Sequence, residues 1–367
     1  MATIAGVVPA GTQVTTKTAA APGGPATPVL AAPKRSTYDA GNTEFPAGGL
    51  GKLMRKDGQG ATGDKAIDAA HDNAGLVHEF YASILGRDSI DGRGMQITSV
   101  VHYGSAFNNA YWDGEKMTYG DGDGKLFSPL SGALDVVAHE MAHGVTEHTA
   151  GLAYRNQSGA LNESWSDVFG ELVEQWAENR TGFGTPDAAK AADWLIGEDV
   201  FTPGTAGDAL RSMRAPGTGY KGDPQPGHMK DYKKMTGDNG GVHVNSGIPN
   251  KAAYEAGIRI GGEKLAKIWY TALTDYLKSN STFSDAANAT LAAAQRLYGT
   301  GAESQAVLDA WQAVGIVAKA GAAAAVFGAR REPAGPGHVH GGPDDGVVPF
   351  WLHDGVVDNA ERQQLQV

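Results

Sequence analysis

Between Thr62 and Arg87 apolar residues return every three or four positions, at Ile67, Ala70, Ala74, Val77, Phe80, Tyr81 and Ile84. That interval matches one face of an amphipathic helix, and Asp64 is placed to cap its start. Two runs rich in Val, Ile, Thr, Tyr and Trp follow, Met95 to Tyr103 and Asn109 to Tyr119, and both read as strands. Helical spacing resumes from Ser131 to Gly151. It returns from Ala160 to Arg180, where Leu161, Trp165, Val168, Phe169, Leu172, Val173 and Trp176 fall on one side. Gly144 costs the first of these helices about 1 kcal/mol relative to alanine, so burial on several sides has to hold it. A stretch broken by Gly and Pro runs from Thr181 to about Gly247. Four more helical patterns follow it, at Pro249 to Gly261, Glu263 to Ser279, Thr282 to Tyr298 and Glu303 to Val314. The pattern predicts an α+β protein with a strand-rich first half and a mainly helical second half.

The ends of the chain lack this patterning. Residues 1–34 are dominated by Ala, Pro, Thr and Gly, and carry too little apolar surface to offset chain ordering. The composition beyond Lys319 reverts to the same kind, with His338 and His340 in a Gly-rich context that reads as an unstructured tail. This predicts a disordered leader or short pro-segment over 1–35, a strand-rich unit over 36–153, a mainly helical unit over 154–318, and a low-complexity tail over 319–367.

Thirty basic and 41 acidic residues give a net charge of −11, which disfavours a nucleic-acid partner. There is no cysteine, so any metal must be held by His, Asp or Glu. The amino terminus lacks the basic start and apolar core of a signal peptide. No stretch is long and apolar enough to span a bilayer; the nearest, Val314 to Phe327, is short and interrupted by Lys319. The sequence Asp121-Gly122-Asp123-Gly124 lacks the further acidic positions of a calcium loop and reads as a tight turn.

Chemistry concentrates in LDVVAHEMAHGVTEHTAGLAYRNQSGALNESWS, from Leu134 to Ser166. Residues four apart on a helix share a face, so His139 and His143 can converge on one ion while Glu140 projects beside them. Glu163, on the next helix, is a third candidate ligand, and three protein ligands with one open position describe a catalytic zinc site. Asp167 shares its face.

The segments AFNNAYWDG, LDVVAHEMAHGVTEHTAGL, YRNQSGALNESWSDVFGELVE, WLIGEDV, LRSM and DNGGVHVNSGIPNKAAY occur in that order. Together they resemble the thermolysin family of zinc metalloendopeptidases from about Tyr38 to Val317. GDGDGKLF, RSMRAPGTGY and DPQPGHM are most similar to its protealysin branch. The resemblance implies a two-domain fold with the zinc helix at the junction. It assigns one catalytic zinc to His139, His143 and Glu163, and the general base to Glu140. Donors to the developing oxyanion would be His243 and Tyr154. Asp167 and Asn162 would orient the ligand histidines, and Asp238 would orient His243.

The same resemblance implies that Asn109 and Ala110 pair with an extended peptide through strand-edge amide and carbonyl groups. Arg211, Phe127, Val136 and Leu210 would shape the pocket for a bulky apolar side chain just after the scissile bond. Asp135, Glu174, Asp193 and Glu198, with the Leu195 carbonyl, match calcium-holding positions. Leu195 stands where the paired site of the family has a further glutamate, which implies one structural calcium. Peptides or proteins are the implied substrates and a monomer the implied state, with neither nucleic acid nor membrane as partner. Family precedent implies a secreted zymogen, although the Pro-Pro motif of the protealysin pro-region is absent and a cytoplasmic location stays open. A zinc aminopeptidase is the alternative enzyme. It usually has eighteen residues between the second histidine and the glutamate, whereas nineteen separate His143 from Glu163, and no GxMEN strand is found.

Overall fold

The computed structural model describes residues 32–179, 183 and 186–317. The leader up to residue 31 and the tail from 319, with His338 and His340, lie outside the described residues. The first half holds β1 (Arg35–Thr43), β2 (Lys52–Lys56), α1 (Lys65–Leu85), β3 (Ile97–Tyr103), β4 (Ala110–Trp112) and β5 (Met117–Tyr119). Its sheet has the order β2-β1-β3-β5-β4. The inner pairs β1/β3 and β3/β5 are parallel, and the outer pairs β1/β2 and β4/β5 are antiparallel. α1 packs on β1 and β3 and is capped by Asp64, which accepts from Ala66 N and Ile67 N.

Two sequence expectations change here. β1 and β2 were not foreseen, because RSTYDAGNT and KLMRK lack the alternation of a half-buried strand. The first strand also begins at Arg35, one residue inside the expected leader. The run from Asn109 to Tyr119 is two short strands: Asp113 Oδ1 accepts from Glu115 N and Lys116 N and turns the chain back between them.

α2 (Leu134–Glu147) follows a 3-10 turn at Leu130–Gly132 and joins the two halves. It ends four residues before Gly151. Gly144 is required for close packing: a Cβ there would lie 2.6 Å from Ile90 Cγ2 and 3.1 Å from the Trp112 ring. α3 (Asn156–Asn179) crosses α2 where Gly170 meets the Asp135 carbonyl, at 2.8 Å from a would-be Cβ. This approach sets the distance between the two helices that carry the candidate ligands.

The loop-rich stretch contains α4 (Pro186–Ala191), the pair β6 (Leu195–Ile196) and β7 (Arg211–Ser212), and α5 (Asp238–Asn245). α6 (Gly247–Ile260), α7 (Gly262–Asp275), α8 (Phe283–Tyr298) and α9 (Ala302–Ala313) then pack together, each starting within two residues of its expected position. Thr282 and Asp285 form a capping box on α8. The core runs without interruption from Phe80 and Tyr81 of α1 through Trp165 and Phe169 of α3 to Trp269 and Trp311. No helix among the described residues is long and apolar enough to cross a membrane.

Candidate active site

α2 places the rings of His139 and His143 with centroids 4.6 Å apart. Glu163 of α3 faces both. His139 Nε2 lies 3.6 Å from Glu163 Oε2, and His143 Nε2 lies 3.5 Å from Oε1. Tetrahedral bonds of about 2.0–2.2 Å put neighbouring donor atoms roughly 3.3–3.6 Å apart, so the spacing suits one zinc ion. Glu163 is fully buried, and its Oε2 has no hydrogen-bond partner. A buried carboxylate oxygen in that state is unfavourable unless a cation occupies its lone pairs.

The outer nitrogens of the two imidazoles are held from behind. His139 Nδ1 lies 2.9 Å from Asp167 Oδ1. His143 Nδ1 lies 2.9 Å from Asn162 Oδ1 and 3.1 Å from Ser166 Oγ. Asn162 Nδ2 donates to the Leu152 carbonyl, which turns its oxygen toward the histidine. With Nδ1 engaged, each Nε2 is directed at Glu163.

Asp167 is itself fixed by Arg211, whose Nε and Nη2 donate at 2.8 and 2.6 Å, and by Asn250 Nδ2 at 2.7 Å. This gives Arg211 a partner that its sequence context did not show. Its guanidinium is buried against Asp167 and acts on His139 through it, a role in addition to the one expected for it. Phe127 and Val136 are fully buried and Leu210 nearly so.

Glu140, next to His139, is almost fully buried and accepts the Trp112 backbone N–H, while its Oε1 has no partner. Burial and the nearby Glu163 push its carboxyl well above the ordinary range. Burial pushes Glu163 upward too, but His243, His143 and His139 prevail and hold it below its usual value. Burial lowers the His139 imidazole to about 4 against the pull of Asp167, so this ring is neutral at pH 7, the state that binds a metal.

Tyr154 and His243 also reach Glu163. The Tyr154 hydroxyl donates to Glu163 Oε1 and lies 3.1 Å from His243 Nε2, while 39% of the residue stays exposed. His243 Nδ1 sits 2.5 Å from Asp238 Oδ1, and the His243 backbone N–H donates to Oδ2. Burial depresses the His243 imidazole, but Glu163 and Asp238 outweigh it and raise it above its usual value. Asp238 and Asn239 both have positive φ, at 52° and 47°. This left-handed turn folds the carboxylate back over the start of α5, and its strain sits at the site.

β4 borders the cleft as the outermost strand. Backbone groups alternate sides along a strand. The Trp112 N–H points to Glu140, so Ala110, two residues earlier, turns its N–H and carbonyl to the same side. Asn109 differs from expectation: its main-chain carbonyl accepts Gly120 N at 2.9 Å and is not open to a peptide. Its buried Oδ1 has no partner.

A second cluster lies beyond the N-terminal end of α2. Carboxylate oxygens of Glu174, Glu198 and Asp199 come within 4.8 Å of one another. Burial and then Asp135 push Glu174 up to about 11 and Glu198 up to about 8. Glu171 is also fully buried, with Oε1 taking Gln175 Nε2 at 2.6 Å and Oε2 without a partner. Burial raises its carboxyl, and so do Asp193, Glu198 and Asp135. Acids gathered this closely cannot all ionise without a cation, and oxygen-only donors suit calcium. Asp193 is exposed and accepts Leu195 N at 3.2 Å. Asp135 accepts Gly197 N and Val136 N. The sequence reading missed Glu171 and Asp199 here, and Ser166 and Asn250 at the zinc cluster.

Residues 29–147 match the family model for the thermolysin metallopeptidase catalytic domain, and residues 150–316 match that for its alpha-helical domain. The chain belongs to the thermolysin metallopeptidase family. It is therefore a zinc-dependent endopeptidase with structural calcium, acting on peptide or protein substrates. It is 46% identical over 276 residues to an extracellular metalloprotease of Pectobacterium carotovorum subsp. carotovorum, covering 72% of this chain and 77% of the relative. A thermolysin of Alicyclobacillus acidocaldarius subsp. acidocaldarius is also 46% identical, over 76% of this chain but 50% of its own length. Among solved structures, the precursor of protealysin from Serratia proteamaculans superposes with a TM-score of 0.73 at 42% identity, covering 80% of this chain and 91% of the other.

Proposed function

We propose that His139, His143 and Glu163 hold the catalytic zinc, with Glu140 as general base and Tyr154 and His243 as donors to the oxyanion. The observation that carries this reading is Glu140. It is a buried acid with an unpartnered oxygen, adjacent to the three converging ligands. Bound there, zinc would lower the pKa of a water to about 7 and polarise the peptide carbonyl. Glu140 takes the proton as water attacks and hands it to the leaving amine. The extra positive charge beside Glu140 supports its ionised form. His243, whose cationic form Glu163 and Asp238 favour, and the Tyr154 hydroxyl face charge that exists only in the transition state. Ala110 pairs with the extended peptide, and the Asn109 side chain supplies a further contact. Phe127, Val136 and Leu210 favour a bulky apolar residue after the scissile bond.

Glu140→Gln should keep zinc stoichiometry and lose nearly all cleavage of a peptide blocked at both ends. Retained turnover would place the base elsewhere, and activity confined to free amino termini would support an aminopeptidase. One calcium held among Asp135, Glu171, Glu174, Asp193, Glu198, Asp199 and the Leu195 carbonyl would account for the acidic cluster. The extracellular relative supports secretion, and a monomer is the state proposed. The boundary between the two units is placed near residue 153, after the end of α2 at Glu147.

A further inference from the structure

β4 has only three residues and one neighbouring strand. A strand that short has little pairing of its own to fix its register, yet Ala110 must stay aligned with Glu140. Both of its ends are pinned by side-chain bonds. Ahead of it, Asn108 Nδ2 donates to Asp123 Oδ2 at 3.0 Å, and Asp123 N donates back to Asn108 Oδ1 at 2.9 Å. The other oxygen of Asp123 accepts Lys125 N and Leu126 N, so the carboxylate cannot swing. Gly122 N donates to the Phe107 carbonyl and reinforces the join. The Gly120–Gly124 turn therefore has a task that its sequence did not show.

At the other end Trp112 Nε1 donates to Glu147 Oε2 at 2.8 Å, on the last turn of α2. The absence of a side chain at Gly144 lets the indole lie against that helix. The same Trp112 gives its backbone N–H to Glu140. One residue thus couples the strand to the base.

We propose that Asp123 and Glu147 are positioning residues that clamp the substrate-pairing strand at its two ends in register with Glu140. The inference rests on the reading that β4 receives the peptide. Both acids are exposed, and exposed bonds of this kind add little to stability. Their removal should be felt in turnover while the fold persists.

The test compares Asp123→Ala, Glu147→Ala and Glu147→Gln using peptides extended on both sides of the scissile bond, with zinc content and melting midpoint as controls. Asp123→Ala should raise KM on the order of tenfold with kcat within about twofold, because it loosens binding before chemistry. Glu147→Ala should lower kcat on the order of tenfold through misplacement of Glu140, and Glu147→Gln, which keeps an acceptor, should recover it. The doubles Asn108→Ala/Asp123→Ala and Trp112→Phe/Glu147→Ala should be no worse than their worse single variants. Wild-type kcat and KM in both alanine variants, or additive doubles, would overturn the clamp. Ala110→Pro separates the two layers of argument. An unchanged KM there would reject β4 as the peptide edge, whereas a raised KM with unaffected Asp123→Ala and Glu147→Ala would reject the clamp alone.

Discussion

Asp167 shows how much of a metal site lies behind its ligands. It joins His139 to Arg211 and Asn250, residues 44 and 83 positions away from it. Arg211→Lys cannot reproduce the two-nitrogen fork, and removing such outer support typically costs 10–100-fold in metal affinity. Zinc retention against a competing chelator should weaken by about that range; unchanged retention would show that Asp167 needs no help. His139, Glu140 and His143 were legible because one helical turn brings them together, whereas Asp238 with His243 came from the family resemblance alone. Arg211 was legible as a residue but not by partner, since nothing local in LRSM points to a carboxylate on α3. Glu171 was hidden for a different reason. An acid in an apolar helix reads as its solvated side, and only the packing of α2 on α3 shows it to be buried.

Elements were legible to the extent that burial imposes a period. α1 and α6 to α9 each bury one face and were found with bounds within four residues of those observed. β1 and β2 expose most of their residues, so the alternation that would announce them is absent. The end of β3 carries a pH-dependent tie. His102, itself at positive φ, sets Nδ1 2.8 Å from Asp121 and Nε2 3.2 Å from Asp64, the cap of α1. The bond to Asp121 outweighs burial and, with Asp64, raises the imidazole to about 9. A folded-state value above the unfolded one contributes stability that is complete below about 6.5 and lost as pH rises through about 9. The melting midpoint of wild type minus that of His102→Asn should therefore be constant below pH 6.5 and shrink between 6.5 and 9. A difference independent of pH would mean that His102 is not cationic in the folded protein.

For the molecule as a whole, α2 spans both metal clusters, with Asp135 at its start and the zinc ligands in its middle. Calcium binding only the native state stabilises by mass action, by about 2.7 kcal/mol at one hundred times its dissociation constant. Selective calcium removal should lower the melting midpoint of wild type, and the shift should be smaller in Glu171→Gln. Equal shifts in the two would exclude Glu171 from the site. The division into a strand-rich and a helical half was readable from pattern alone. The way the halves meet was not, because it depends on Gly170, whose only signal is a missing side chain.

The sheet has two unequal edges. β2 carries exposed Lys52 and Lys56, charges that discourage another strand from adding there, while β4 is the edge proposed to receive an extended chain. A copy of this protein that unfolds therefore meets, on its folded neighbours, an edge that cuts it before it can stack. Loss of protein near the melting midpoint should then be a two-body process, faster at higher concentration. In Glu140→Gln the same heating should leave full-length chains, either refolded or in aggregates.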